Sequence, residues 1–244
     1  MRHLSVPENR RRPLILGHRG ASAHAADNTI TAYHLAREHG ADGIECDVRL
    51  TADDVIVMHH DPVVDGMGVL GGYPFAALRQ RHPQIPTLDE TLAALPEPGF
   101  LLNIEIKNDP DEPGFDPRHR LSAAIAAWVG RHELHNRTVV TSFNRTTIDH
   151  VRASDDTIST GLLLGHQRVA TLLAGIASDG HRWVLPHHSR LLVGARRHIR
   201  RAHDIGLSVG TWTLDSPWRL RQVRSAGIDA VICNDPGAAV RRVS

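Results

Sequence analysis

"LILGHRGAS" (residues 14–22) opens as an apolar β-type run and stops at a histidine, an arginine and a glycine. At the start of an α/β chain, such a run begins either an open doubly wound sheet or a closed (β/α)8 barrel. An open sheet that binds a dinucleotide carries G-x-G-x-x-G at this turn. Gly17-His18-Arg19-Gly20-Ala21-Ser22 lacks that spacing, so the choice moves toward the barrel.

The rest of the chain repeats the rhythm. Short β-type runs recur at 43–48, 100–106, 138–142, 158–164, 183–186, 208–213 and 230–233, with helical patterns between them. Eight strands alternating with helices require crossover connections and therefore parallel pairing. The helix ends carry usable signals. Asn28 or Thr29 can cap a helix that stops at Gly40, Thr87 and Glu90 have the spacing of a capping box, and Ser216-Pro217 and Asp235-Pro236 open two more helices. An extra run at 55–59 and a Gly- and Pro-rich segment at 61–86 break the regularity after the second strand. The expectation is an α/β fold, a single (β/α)8 TIM barrel over residues 1–244. Residues 61–86 form a small insertion near the active-site mouth.

Barrel enzymes gather their working side chains where the strands end at the C-terminal face. The first strand ends at His18 and Arg19. The second carries Glu45 and Asp47, two residues apart and so on one side. The run after it ends in His59, His60 and Asp61, and "NIEIK" (103–107) places Asn103, Glu105 and Lys107 at one parity. Lys107 is the only lysine of the chain.

If Glu45, Asp47 and Glu105 converge, three like charges raise one another's pKa unless a cation sits among them. Three carboxylates without a thiolate select a hard divalent ion, Mg²⁺ or Ca²⁺. The competing reading pairs each carboxylate separately with an arginine. His18 and His60 beside such a centre suit general acid–base work near neutral pH. Arg19 offers a donor fork for a phosphate or carboxylate, and Lys107 a point charge beside an anionic ligand. His59, of opposite parity to His60, reads as packing. Cys46 reads as a small filler facing the helices, and Asp61 as orienting His60 or capping its loop. His34, His39, His132 and His203 fall on helix faces and read as solvent-facing, and His187 and His188 end the sixth strand.

Composition excludes several classes. The 244 residues carry a formal net charge of +1, with 23% charged and 41% hydrophobic side chains, which gives no electrostatic case for nucleic acid. Arg10, Arg11 and Arg12 read as a solvated N-terminal tail. No apolar stretch reaches the ~18 residues of a membrane span, so no stable membrane insertion is expected. Two cysteines, Cys46 and Cys233, both in apolar runs, fit a cytoplasmic setting. The oligomeric state is not legible.

Taken together, "HRGAS" (18–22), "DNT" (27–29), "ECD" (45–47), "VIVMHHDP" (55–62), "IPTLDE" (85–90), "NIEIK" (103–107), "SF" (142–143) and "GTWTLD…AGIDAVICNDP" (210–236) resemble the glycerophosphodiester phosphodiesterase family, in order and over most of the chain. The resemblance implies metal-dependent hydrolysis of a glycerophosphodiester, a small-molecule substrate, to glycerol 3-phosphate and an alcohol. It implies Glu45, Asp47 and Glu105 as ligands of Mg²⁺ or Ca²⁺, and His18 and His60 as the acid–base pair. Arg19 would contact phosphate, Lys107 would assist there, and Trp212 would line the pocket. Two departures stand out. Ala26-Asp27-Asn28-Thr29 replaces the family's Pro-Glu-Asn-Thr, and the stretch after His60-Asp61 is short and lacks the family's arginine. Two alternatives stay beside this reading: a lysophospholipase D-like phosphodiesterase for acylated substrates, and a non-catalytic barrel that binds phosphate esters.

Overall fold

Nearly continuous apolar strands need cover on both faces, and a closed parallel barrel ringed by helices supplies it. The computed structural model describes residues 12–243, so Arg10 and Arg11 of the N-terminal arginine run lie outside the described residues. Arg12 is half-buried and paired with Asp42 at 2.6 Å, which ties it to the start of the second strand instead of leaving it in solvent.

Eleven strands are described in chain order: β1 (Leu14–His18), β2 (Gly43–Leu50), β3 (Ile56–Met58), β4 (Val63–Val64), β5 (Gly68–Val69), β6 (Leu101–Ile106), β7 (Thr138–Ser142), β8 (Ser159–Leu164), β9 (Trp183–Pro186), β10 (Ser208–Thr211) and β11 (Ala230–Cys233). Eight of them, β1, β2 and β6 to β11, pair in parallel around a closed ring in which β1 meets both β2 and β11. The chain is therefore a (β/α)8 barrel. β3 is antiparallel to the upper part of β2, where Val48 to Leu50 face Met58 to Ile56. β4 and β5 form a small separate hairpin within the 61–86 segment.

Nine helices are described: α1 (Ile30–Glu38), α2 (Phe75–Arg81), α3 (Leu88–Ala94), α4 (Arg120–Arg131), α5 (Arg145–Ser154), α6 (Val169–Ser178), α7 (Ala195–His203), α8 (Pro217–Ser225) and α9 (Pro236–Val243). Their ends follow the sequence signals. Thr29 rather than Asn28 caps α1, accepting from Ala32 N–H. Thr87 and Glu90 complete a capping box at α3, and Asp235 accepts from Ala238 N–H at the start of α9. The four helix-face histidines all make contacts: His34 with Ala94 O, His39 edge-on to His24, His132 with Asp89 and His203 with Asp229.

Pairing register sorts the inner wall by level. Leu16 and His18 stand opposite Gly43 and Glu45, and Glu45 and Asp47 opposite Asn103 and Glu105. Around most of the ring the inward positions are apolar, with Leu14, Leu16, Val139, Leu163, Leu185 and Ile232 in one buried cluster. On β2 and β6 the same positions are Glu45, Asp47, Asn103 and Glu105, all buried. The residues between them, Ile44, Cys46, Ile104 and Ile106, point outward into the strand–helix layer with Tyr33 and Ile125. The lumen is thus apolar on one side and acidic on the other. Among the described residues no helix is long and apolar enough to cross a membrane.

Candidate active site

The turn after β1 is built on left-handed backbone. Arg19 has φ of 54° and Gly20 of 90°, conformations that cost energy for a non-glycine residue and cluster at functional sites. A Cβ at Gly20 would stand 2.6 Å from the Ala32 carbonyl carbon, so only glycine lets the turn lie this close to α1. The strained backbone aims Arg19 N–H at Glu45 Oε2, 3.0 Å away, and returns the guanidinium over the strand ends. There Arg19 Nε is 3.0 Å from Asp47 Oδ2, and its Nη1 donates to Asp27 Oδ2 at 2.8 Å. Asp27, in the departing Ala-Asp-Asn-Thr motif, holds this arginine.

Ligand oxygens from Glu45, Asp47 and Glu105 lie within 4.8 Å of one another, all from buried residues. Lys107, just past the end of β6, donates to Glu105 Oε1 at 2.5 Å and sits 3.3 Å from Asp47 Oδ1. Asn28 donates to Asp47 Oδ2 at 2.9 Å and accepts from Asp47 N–H at 3.2 Å, while the buried Tyr33 hydroxyl donates to Asn28 Oδ1. Two carboxylate oxygens, Glu45 Oε1 and Asp47 Oδ1, are buried without a formed hydrogen bond, and Asp47 Oδ1 has only the ion pair to Lys107 at 3.3 Å. Separate pairing of each carboxylate with its own arginine is not what the geometry shows. Arg19 and Lys107 converge on Asp47, and the nearest ionisable nitrogen to Glu45 is His18 Nε2 at 4.0 Å.

The electrostatics follow. Burial, reinforced by Asp47, pushes the Glu45 carboxyl up to about 8. Burial does the same to Glu105, up to about 8, against the pull of Lys107. Burial would raise Asp47 as well, but Lys107, Arg19 and His60 hold it below the ordinary value. With all three carboxyls ionised, three negative charges would face two permanent cations and leave the cluster one positive charge short. With no further cation Glu45 and Glu105 hold their protons instead, as their raised pKa values show. A hard divalent ion meets the same oxygens and the same deficit, and the donor set therefore fits one.

Two imidazoles flank the carboxylates, each held by its Nδ1. His18 Nδ1 is 2.8 Å from Asn234 Oδ1, and Asn234 is fixed in turn by donating Nδ2 to Asp215 Oδ2 at 2.7 Å. An amide oxygen only accepts, so His18 carries its proton on Nδ1 and its Nε2 lone pair faces the cluster. His60 Nδ1 is 2.6 Å from Asp61 Oδ1, which sets the same tautomer. Arg49 donates through Nε and Nη2 to the His60 carbonyl, at 2.9 and 2.6 Å, and pins the backbone that presents the ring. Burial lowers the pKa of both His18 and His60, so the neutral form dominates at pH 7.

A cavity of about 270 Å³ joins Arg19 and His60 to Val63, Asp65, His82 and Gln84 of the 61–86 segment. His59 also lines it, half-buried, with its Nε2 unpaired. Trp212 stands one residue past β10 and outside the carboxylate cluster. Its Nε1 donates to Leu185 O at 2.8 Å, and its ring meets Phe143 edge-on, with Lys107 Nζ 5.8 Å from the Phe143 centroid. Asn28, Arg49, Asn234 and Asp215 were missed as site residues. Asn28 and Asn234 stood inside quoted motifs, but their partners lie 19 and 216 positions away in sequence.

A closed barrel whose C-terminal face gathers buried carboxylates, two imidazoles and two fixed cations has the layout of an enzyme for an anionic ester. Comparison with known proteins agrees. The model of the "Glycerophosphoryl diester phosphodiesterase family" matches residues 18–238, and the chain belongs to that family. It is a phosphoric diester hydrolase. The glycerophosphodiester phosphodiesterase of Caldanaerobacter subterraneus subsp. tengcongensis is 28% identical, over 94% of this chain and 97% of that protein. A phosphodiesterase of Oleispira antarctica, solved with the product sn-glycerol-3-phosphate, has the same fold, with a TM-score of 0.80 at 24% identity over 95% of this chain and 97% of that one. The glycerophosphodiester phosphodiesterase of Thermotoga maritima superposes with a TM-score of 0.79 at 23% identity, over 94% and 97%.

Proposed function

We propose that the chain hydrolyses glycerophosphodiesters to glycerol 3-phosphate and an alcohol with a divalent cation, Mg²⁺ or Ca²⁺, held by Glu45, Asp47 and Glu105. The observation that carries this reading is the convergence of three buried carboxylates, one positive charge short when all are ionised, together with Glu45 Oε1, which is buried with no hydrogen-bond partner. When bound, such a cation polarises phosphoryl oxygens and lowers the pKa of a hydroxyl beside them. Arg19 and Lys107 place fixed positive charge against the phosphoryl group, where charge spreads during transfer. His18 and His60 work as the acid–base pair through Nε2: the neutral ring takes the proton of the attacking hydroxyl, glycerol's or water's. The other, working as the imidazolium with a proton on Nε2 as well as Nδ1, delivers its Nε2 proton to the departing oxygen. Asn234 and Asp61 accept from Nδ1–H, which both the neutral base and the imidazolium acid carry, and so keep each Nε2 aimed at the site. Trp212 and Phe143 form the wall beyond Lys107.

Residues 61–86 are an insertion that borders the pocket and shapes its mouth, within one domain. Two buried free cysteines support a reducing, cytoplasmic setting. The test is production of glycerol 3-phosphate from glycerophosphocholine by the purified protein, with Mg²⁺, Ca²⁺ or EDTA. Turnover that requires the cation supports the reading. Full activity in EDTA removes the cation from it, and absence of turnover with every cation returns the chain to a phosphate-ester-binding barrel.

A further inference from the structure

The mouth of the barrel is electrically lopsided. The loop after β6 carries Asp109, Asp111, Glu112 and Asp116 against Lys107 and Arg118. The loops after β8, β9 and β10, with the first turn of α8, carry His166, Arg168, His187, His188, Arg190 and Arg219 against a single carboxylate, Asp215. That carboxylate is engaged, accepting from Asn234 N–H at 2.7 Å and from Asn234 Nδ2 at 2.7 Å. Arg190 and Arg219 are half-buried, and among the described residues neither has a carboxylate within ion-pairing distance. Each is instead oriented by acceptors other than carboxylates. Arg219 Nη1 donates to His188 Nδ1 at 3.0 Å, Arg190 Nε to Gly165 O at 3.2 Å, and Arg190 Nη2 to His166 Nδ1 at 3.3 Å. Burial, with His187 and Arg219 beside it, lowers His188 to about 4, so that ring is a neutral acceptor at pH 7 and leaves the guanidinium charge uncompensated.

This wall is continuous with the candidate active site. From Lys107 the contacts run to Phe143 at 5.8 Å, on to Trp212 at 5.2 Å, to His187 at 4.9 Å and to His188 at 4.2 Å. A substrate whose phosphorus sat at Arg19 and Lys107 and whose arm turned past Phe143 and Trp212 would run along this path. The glycerol arm of glycerol 3-phosphate carries only hydroxyls, so an anion met by the wall belongs to the other arm.

We propose that the wall after β8, β9 and β10 selects glycerophosphodiesters whose departing alcohol bears a second negative group, a phosphate above all, with Arg219 and Arg190 as the specificity-determining residues. The inference rests on the phosphodiesterase reading above and narrows its substrate class. Guanidinium groups pair with phosphate through several charge-assisted donors, and specificity is the difference between that gain and its loss with a neutral or cationic alcohol.

The test compares kcat/KM for three diesters under one metal condition. They are bis(glycerophospho)glycerol, whose departing alcohol carries a second phosphate, glycerophosphoglycerol, its neutral counterpart, and glycerophosphocholine, its cationic one. The doubly charged substrate should exceed the neutral one by about tenfold, the scale of one charged hydrogen bond. Arg219→Glu should bring that ratio to about one or below, Arg190→Gln should lower it, and Arg219→Gln serves if the reversed charge impairs folding. High salt should compress the ratio because the wall is open to solvent. A wild-type ratio within about twofold of one, with the neutral diester still turned over, overturns the inference and leaves the phosphodiesterase reading standing. A ratio that none of the variants moves also overturns it. No turnover of any of the three overturns both.

Discussion

Asn234→Ala tests how the active-site imidazole is held. In the native chain Asn234 Oδ1 accepts from His18 Nδ1 at 2.8 Å and from Ser22 Oγ at 2.9 Å, while Nδ2 anchors the amide on Asp215. Alanine removes the acceptor that sets the His18 tautomer and frees the ring to turn from the carboxylates. Partners that orient a working imidazole are worth about 10–100-fold. At 1.36 kcal/mol per decade that is about 1.4–2.7 kcal/mol of transition-state stabilisation. Asp215 keeps the backbone N–H of Asn234 at 2.7 Å, but the three side-chain hydrogen bonds go, so the fold should lose about 3 kcal/mol, roughly 1 for each. Steady-state turnover of glycerophosphocholine should show kcat falling by that factor with KM nearly unchanged, and urea unfolding should show a shifted midpoint with an unchanged slope. A folded variant with kcat within about twofold of wild type refutes the assignment of His18 as a positioned acid–base group.

His18→Ala and His60→Ala should each lower kcat by about 10²–10⁴-fold, read with the same assay, and activity that survives both changes ends the histidine assignment. Gly20→Ala should cost more than about 1 kcal/mol in urea unfolding, because its φ of 90° and the 2.6 Å approach to Ala32 leave no room for a Cβ; an unshifted midpoint contradicts the turn geometry. His181 is buried between Thr160 Oγ1 at 2.8 Å and Asp149 Oδ1 at 3.0 Å, and burial holds its pKa below 6.5. Below pH 6.5 the unfolded chain takes up this proton before the folded one, so the His181 contribution is complete above 6.5 and shrinks as pH falls. Between pH 7.5 and 5.5 the native chain should therefore lose unfolding free energy relative to His181→Gln; equal slopes contradict the burial argument.

The barrel was legible because parallel strands buried on both faces announce themselves as short apolar runs, and capping chemistry marks the helices between them. The carboxylate trio was legible for the same reason: Glu45, Asp47 and Glu105 break an apolar pattern at one parity. The 61–86 segment was less readable. Its Gly and Pro content hid α2 and the two-residue strands β4 and β5, which are too short to show a period. Of the residues that hold the site, Asp61 was read as a partner of His60, while Asn28, Arg49, Asn234 and Asp215 were missed. His18 meets Asn234 only because β1 lies beside β11, and Arg49 reaches the His60 carbonyl only because the chain folds back antiparallel after β2. Closure brings such partners together, and local sequence carries no trace of it. Lys107 resolves likewise. A lone lysine after a buried strand has meaning only once Glu105 and Asp47 stand on either side of it.

The reading stands or falls on a cation among three carboxylates. Crystals soaked in Mn²⁺, measured at an anomalous wavelength, should give their strongest peak within coordination distance of Glu45, Asp47 and Glu105, and that peak should vanish in Glu45→Gln. A strongest peak at the other His- and Asp-containing clusters, His24 with His39 and Asp235 or His181 with Asp149 and Asp179, or no peak at all, would contradict it.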